Sequence, residues 1–147
     1  MSHTKTYGIV PYIVTKKGVK ILLCLDVASN DKWGCLKGTK VKNETAFMCA
    51  KREFFEESSI SVESALFEDY FEQINIDKDV GIWLVNGNNI ENLDSFFVDD
   101  TLKKNFLSWE NSKVKFFSLN NLPRIKNKQE TLLKEITDFL KNKNLHH

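Results

Sequence analysis

The sequence predicts an α/β fold in which a mixed β-sheet lies between helices. Three observations carry that expectation. β-Branched apolar runs recur at residues 7–14, 19–26, 80–87 and 111–119. A stretch without Gly or Pro, 44–58, separates the first two runs from the last two. The last long segment, 128–143, repeats its apolar residues at helical spacing. Strands, helix, strands, helix is the order that buries one sheet on both faces.

The elements follow in turn. "YGIVPYIV" (7–14) and "VKILLCLD" (19–26) read as strands, and the polar "TKKG" between them reads as a hairpin turn. Pro11 has no N–H to donate, which places it at an edge or a bulge. Residues 27–43 are polar, carry Gly34 and Gly38, and read as a loop. Residues 44–58 read as a helix. "VESALFEDYFEQIN" (62–75) fits a strand or a helix equally. "VGIWLVNG" (80–87) reads as a strand with "NGNN" as its turn, and "NSKVKFFSL" (111–119) as another. In the final segment Leu132, Leu133, Ile136, Phe139 and Leu140 share a helix face, with Pro123 ahead of it. Phe106, Phe116 and Phe117 read as core.

The totals exclude several classes. The 147 residues suggest one domain, 1–147. A formal net charge of +1 argues against bulk electrostatic binding to DNA or to an anionic membrane. Cys24, Cys35 and Cys49 are odd in number and show no zinc-ligand spacing, which suits a reduced, cytoplasmic protein. "MSHTKTYGIV" lacks the apolar run of a signal peptide, and no apolar stretch approaches the ~20 residues that span a bilayer. His3, His146 and His147 lie at the termini and read as inert.

The informative stretch is "GTKVKNETAFMCAKREFFEESSI" (38–60). At about 100° per residue, Phe47, Ala50 and Phe54 share a face that would pack on the sheet. Glu53, Glu56 and Glu57 then crowd a neighbouring arc. Like charges three or four residues apart cost roughly 0.2–0.5 kcal/mol per pair. The helix C-terminus adds its own penalty for anions. Arg52 can pair with Glu56 one turn on, which leaves Glu53 and Glu57, and Lys51 points away. Two readings remain open: a solvated acidic face, or a site where a hard divalent cation takes carboxylate oxygens and removes the repulsion.

The same stretch resembles the Nudix box, G-x5-E-x7-R-E-U-x-E-E-x-G-U, where U is a bulky apolar residue. Gly38, Glu44, Arg52, Glu53, Phe54, Glu56, Glu57 and Ile60 fall on that pattern, and Ser59 stands where the family has glycine. "KWGCLKG" (32–38) is similar to the family's W-x-x-P-K-G lead-in, with Leu36 for the proline, and "WENSKVKFFSLNNLP" (109–123) to its late glutamate and strand. The resemblance implies one Nudix domain, an α/β/α sandwich, acting as a metal-dependent pyrophosphohydrolase on a nucleoside diphosphate derivative. It implies Mg²⁺ or Mn²⁺ held by Glu53, Glu56 and Glu57, with the Gly38 carbonyl and Glu110 as further ligands. Asp99, Asp100 and Glu91 are weaker candidates than Glu110. Arg52 and Glu44 would orient the carboxylates, and Glu53, Glu57 or Glu110 would accept the water proton. Serine at 59 costs about 1 kcal/mol if the chain leaves the helix with positive φ, unless the loop takes another path.

Lys32, Lys37, Lys40 and Lys42 gather around the glycine loop. Lys37, in the "KG" pair, is the one assigned to substrate phosphates. Trp33 could stack on a base or pack in the core. Arg124, Lys126 and Lys128 form a second basic run that could hold extra phosphates or RNA, or simply face solvent. The resemblance points first to a dinucleoside polyphosphate such as diadenosine tetraphosphate. RNA 5′ ends and then nucleoside triphosphates are the alternatives. A non-catalytic nucleotide-binding Nudix module is the rival of another class, and the retained glutamates count against it. An isopentenyl diphosphate isomerase would need partners absent from this sequence. A monomer or homodimer is expected.

Overall fold

The computed structural model describes residues 3–143 and residue 145, so His146 and His147 lie outside the described residues. β1 (Thr4–Thr15) runs through the middle of a mixed sheet. On one side it pairs in parallel with β5 (Lys78–Asn86), which pairs with the edge strand β4 (Phe67–Ile74). On the other side its partner changes along its length. Thr6–Ile9 face β3 (Leu36–Thr39), and Tyr12–Thr15 face β2 (Gly18–Asp26). β2 continues to β8 (Asn111–Ser118), and a short hairpin of β6 (Phe97–Val98) and β7 (Thr101–Leu102) completes the sheet.

Helix α1 (Ala46–Ser58) covers one face and α2 (Glu130–Asn142) the other. Strand alternation sorts the core accordingly. Ile9, Leu22 and Leu36 meet Ala50 and Phe54 under α1, while Val10, Ile21 and Leu23 meet Leu132 and Ile136 under α2. Phe54 is fully buried, a gain of about 1.5–3 kcal/mol over exposure. Phe47, on the same side of α1, stacks on Phe67 at 4.1 Å and meets Trp83 edge-on at 5.4 Å. Thr45 starts the helix by accepting the Met48 N–H at 3.1 Å, a cap that contributes about 1 kcal/mol.

Two expectations change, one open reading is settled, and one element is new. Pro11 is neither at an edge nor in a bulge: it sits in the central strand, opposite Val85. It falls between the ladders to β3 and β2, so its missing N–H deprives no partner. The 27–43 loop contains β3, because Leu36 is buried and its backbone is paired with β1, a tertiary cause that the polar composition hides. Residues 62–75 become a 3₁₀ turn, Ser64–Leu66, and then β4, where half-buried Phe71 and Gln73 alternate with exposed Tyr70, Glu72 and Ile74. The β6–β7 hairpin was not anticipated. Its turn puts Asp99 and Asp100 at positive φ, a conformation aspartate tolerates. Ser59 does leave α1 in the left-handed region (φ 67°), and its hydroxyl donates to the Phe106 carbonyl at 3.1 Å, offsetting part of the strain.

Candidate active site

Because Ala50 and Phe54 face the sheet, Glu53, Glu56 and Glu57 line the rim where α1 meets β3 and β8. The three differ in exposure. Glu56 is half in solvent, Glu53 is largely covered, and Glu57 is only 7% exposed. β3 brings Gly38 against Glu53. A Cβ on Gly38 would lie 2.0 Å from the Glu53 carboxyl carbon, so any side chain there would push the carboxylate aside. The Gly38 carbonyl accepts a weak bond from the Cys49 thiol at 3.4 Å.

Arg52 gathers three of the carboxylates. Its Nε and Nη2 grip Glu44 as a fork (2.7 and 3.0 Å), while Nη1 reaches Glu53 at 2.7 Å and Glu56 at 3.1 Å. Nη2 also donates to the Thr39 carbonyl at 3.2 Å, tying helix to strand. Such charge-assisted, bidentate bonds are the strong ones. The Arg52 hydrogen bond holds the Glu44 carboxyl down at about 2. Helical spacing alone had given Arg52 only Glu56; the folded chain adds Glu53 and the distant Glu44.

Glu57 is left out of that network. The Asn111 side-chain amide donates to its Oε1 at 2.9 Å, and its Oε2 is buried with no partner. Burial pushes its pKa up to about 8. The Asn111 bond opposes the shift, the charges of Glu53 and Glu110 add to it, and Lys37 opposes it. Burial likewise raises Glu53, against the pull of Arg52 and with the push of Glu56 and Glu110. Glu110 is exposed at the start of β8, with its charge felt at both Glu53 and Glu57.

An all-oxygen donor set, an orphaned buried carboxylate oxygen and a glycine that lets backbone approach a carboxylate all suit a hard divalent ion. Among the described residues, however, no three acid, thiol or imidazole groups stand together as a ready-made cage. Arg52 draws Glu53 and Glu56 to itself, and Asn111 draws Glu57.

The other candidates are scattered. Leu36 belongs to the core under α1, so the next residue of β3, Lys37, points to the α2 face. Burial pulls the Lys37 ammonium pKa down, and Lys78 and Lys126 pull it further. Trp33 packs edge-on against Phe117 at 4.7 Å and joins the core under α2, so the structure does not bring it to the carboxylates. Lys40 and Lys42 are exposed. Lys32 donates to Asn127 at 3.1 Å, and Arg124 pairs with Asp31 on the surface. Asp100 pairs with Lys20 at 2.6 Å in the hairpin turn it shares with Asp99, and Glu91 lies in the connection after β5. Sequence reasoning missed Asn111 and Lys78. The only sequence signal of Asn111 was an amide next to Glu110 at the head of the 111–119 strand.

No protein-family model matches the sequence, and no curated protein sequence matches it. Solved structures do resemble it. An Ap4A hydrolase from C. elegans, solved as a binary complex, superposes with a TM-score of 0.67 at 21% identity, over 95% of this chain and 99% of that one. A NUDIX hydrolase from Nitrosomonas europaea gives 0.67 at 19% identity, over 97% and 73%. A MutT protein from Methanosarcina mazei Go1 gives 0.59 at 20% identity, over 97% and 99%. The fold of this chain is therefore that of the Nudix hydrolases.

Proposed function

We propose that this protein is a divalent-metal-dependent pyrophosphohydrolase. It opens a diphosphate linkage in a nucleoside diphosphate derivative, with a dinucleoside polyphosphate such as diadenosine tetraphosphate as the leading substrate. The observation that carries the reading is the buried, partnerless Oε2 of Glu57 beside a carboxylate cluster braced by Arg52. Buried polar atoms usually have a partner, so an orphaned carboxylate oxygen in this cluster calls for a ligand. The Nudix fold and its likeness to an Ap4A hydrolase support the substrate class.

Glu53, Glu56 and Glu57, with the Gly38 carbonyl and Glu110, would hold Mg²⁺ or Mn²⁺, which neutralises phosphate oxygens and makes water more acidic. Arg52 and Glu44 keep Glu53 and Glu56 from splaying outward. Water oxygen bonds to one phosphorus, the P–O bond of the bridge breaks, and the leaving phosphate keeps the bridging oxygen. The water proton passes to a carboxylate, Glu57 Oε2 or Glu53. Lys37 pairs with phosphate oxygens. Trp33 braces the segment that carries Lys32 and Lys37.

We read the chain as one domain, monomeric or dimeric, working in the cytoplasm. Its three cysteines are free and buried, and none of the described helices is long and apolar enough to cross a membrane. The experiment is a substrate panel with Mg²⁺: diadenosine polyphosphates, triphosphorylated RNA, nucleoside triphosphates and ADP-ribose, with products identified. Glu57→Gln should cut turnover by orders of magnitude while the fold is kept. Unchanged turnover removes Glu57 from the site, and no turnover with any substrate favours a binding module.

A further inference from the structure

His3, which its place in the sequence leaves without a role, is tied into the fold between two acceptors. Its Nδ1 stands 3.1 Å from the Ile76 carbonyl oxygen, in the turn between β4 and β5. Its Nε2 stands 2.8 Å from Asp79 Oδ1, near the start of β5. A neutral imidazole carries one N–H, so it answers one of these oxygens and turns a lone pair toward the other. Both oxygens are answered only when both ring nitrogens carry protons. The geometry is that of an imidazolium.

Asp79 depends on that cation. Its side chain is largely covered, and its Oδ1 is buried with no other partner. A buried carboxylate oxygen left uncompensated is costly. The other charged groups around the ring are Lys5 on β1, Lys40 and Lys42 on the segment after β3, and Lys78 beside Asp79, while Asp77 is engaged by Lys128. The lysines disfavour a positive ring, and Asp79 favours it. Hydrogen bonding to Asp79, and then to the Ile76 carbonyl, raises the His3 pKa above its ordinary 6.5 against desolvation and the Lys5 charge. The same junction carries backbone bonds. The Thr4 N–H donates to the Asp77 carbonyl at 3.0 Å, and the Lys40 N–H to the Lys5 carbonyl at 3.1 Å. The start of β1 thus joins β5 on one side to the end of β3 on the other, and His3 closes it.

We propose that His3 is a pH-sensitive latch: as an imidazolium it pins the start of β1 to the β4–β5 turn and to Asp79, and as a neutral ring it releases them, so that this end of the sheet frays. The folded chain holds the His3 proton more tightly than the unfolded chain does. The latch therefore contributes fully below about pH 6.5 and is lost as pH rises through the higher folded value. It uses none of the carboxylates of the candidate site, so it stands or falls apart from the hydrolase reading.

The test is an NMR titration of the full chain from about pH 5 to about pH 9, with the His3 signals identified by their loss in His3→Gln. His3 should carry a proton on both ring nitrogens at neutral pH and titrate above its value in the urea-unfolded chain. Asp79→Asn should return it to the ordinary value or below. Amide exchange, corrected for the intrinsic effect of pH, reads the release. Protection at Thr4 and Lys40 should fall about ten-fold from about pH 6 to about pH 9 in the wild type, and should be low and flat in His3→Gln. Protection at Leu22 and Leu84, inside the core strands, should not change. A His3 that titrates at or below its unfolded value, or that carries a single ring N–H at neutral pH, overturns the proposal. So does protection at Thr4 that is flat with pH in the wild type, or that falls equally in His3→Gln.

Discussion

Replacing Glu57 with glutamine removes a charge that burial has already made unfavourable. An ordinary glutamate ionises near 4.5, and burial moves Glu57 to about 8. Between those values the unfolded chain carries an ionised Glu57 while the metal-free folded chain keeps its proton. The folded state therefore binds more protons, and stability falls as pH rises, by up to about 1.4 kcal/mol per pH unit. From about pH 6 to about pH 8 the loss amounts to ~2 kcal/mol, since the slope flattens as the folded group itself ionises. In Glu57→Gln that component is absent, and all other groups titrate as before. Urea denaturation in EDTA at the two pH values reads the difference. The wild-type midpoint should drop by roughly 1 M more than the variant's. Mg²⁺ added at the higher pH should then stabilise the wild type and not the variant, because an ion that binds only the folded state adds its binding free energy to stability. Parallel pH profiles for the two proteins would refute the assignment of Glu57 as a buried, strained acid.

Three further outcomes follow from the geometry. In Gly38→Ala the new Cβ would lie 2.0 Å from the Glu53 carboxyl, so Glu53 must move, and Mg²⁺ affinity by calorimetry should fall about 10–100-fold; unchanged affinity would separate Gly38 and Glu53 from the metal. Ser59→Gly should be close to neutral by thermal melting, because about 1 kcal/mol of relieved left-handed strain is set against the lost bond to Phe106, also about 1 kcal/mol. A shift of either sign beyond about 2 kcal/mol would contradict that balance. Trp33→Ala should destabilise the fold by about 3 kcal/mol through its lost packing on Phe117; a raised KM at unchanged stability would return Trp33 to the substrate.

The sequence by itself determined the class of fold and the acidic helix. Apolar periodicity does not depend on what lies opposite, so the strands around Ile9, Leu22 and Leu84, and the helices carrying Phe54 and Ile136, could be read from order and spacing alone. The crowding of Glu53, Glu56 and Glu57 was legible because all three lie on one helix, where sequence distance maps directly onto space, whereas Gly38 and Glu44 reach that helix from β3 and the loop after it. Tertiary structure alone decided what those residues touch. β3 is a strand only because β1 lies beside it, and Pro11 is tolerated in the middle of the sheet only because two partner strands meet there. Glu57 is strained because Asn111, 54 residues away, supplies one hydrogen bond and the core denies it a second. Lys37, Lys78 and Lys126 share a cavity across 89 residues of chain, from 37 to 126, and no local pattern encodes that meeting. Contacts of this kind are set by how the sheet is ordered and by which face each strand residue points to. Both are consequences of burying the whole core at once, so they emerge only when the chain has folded.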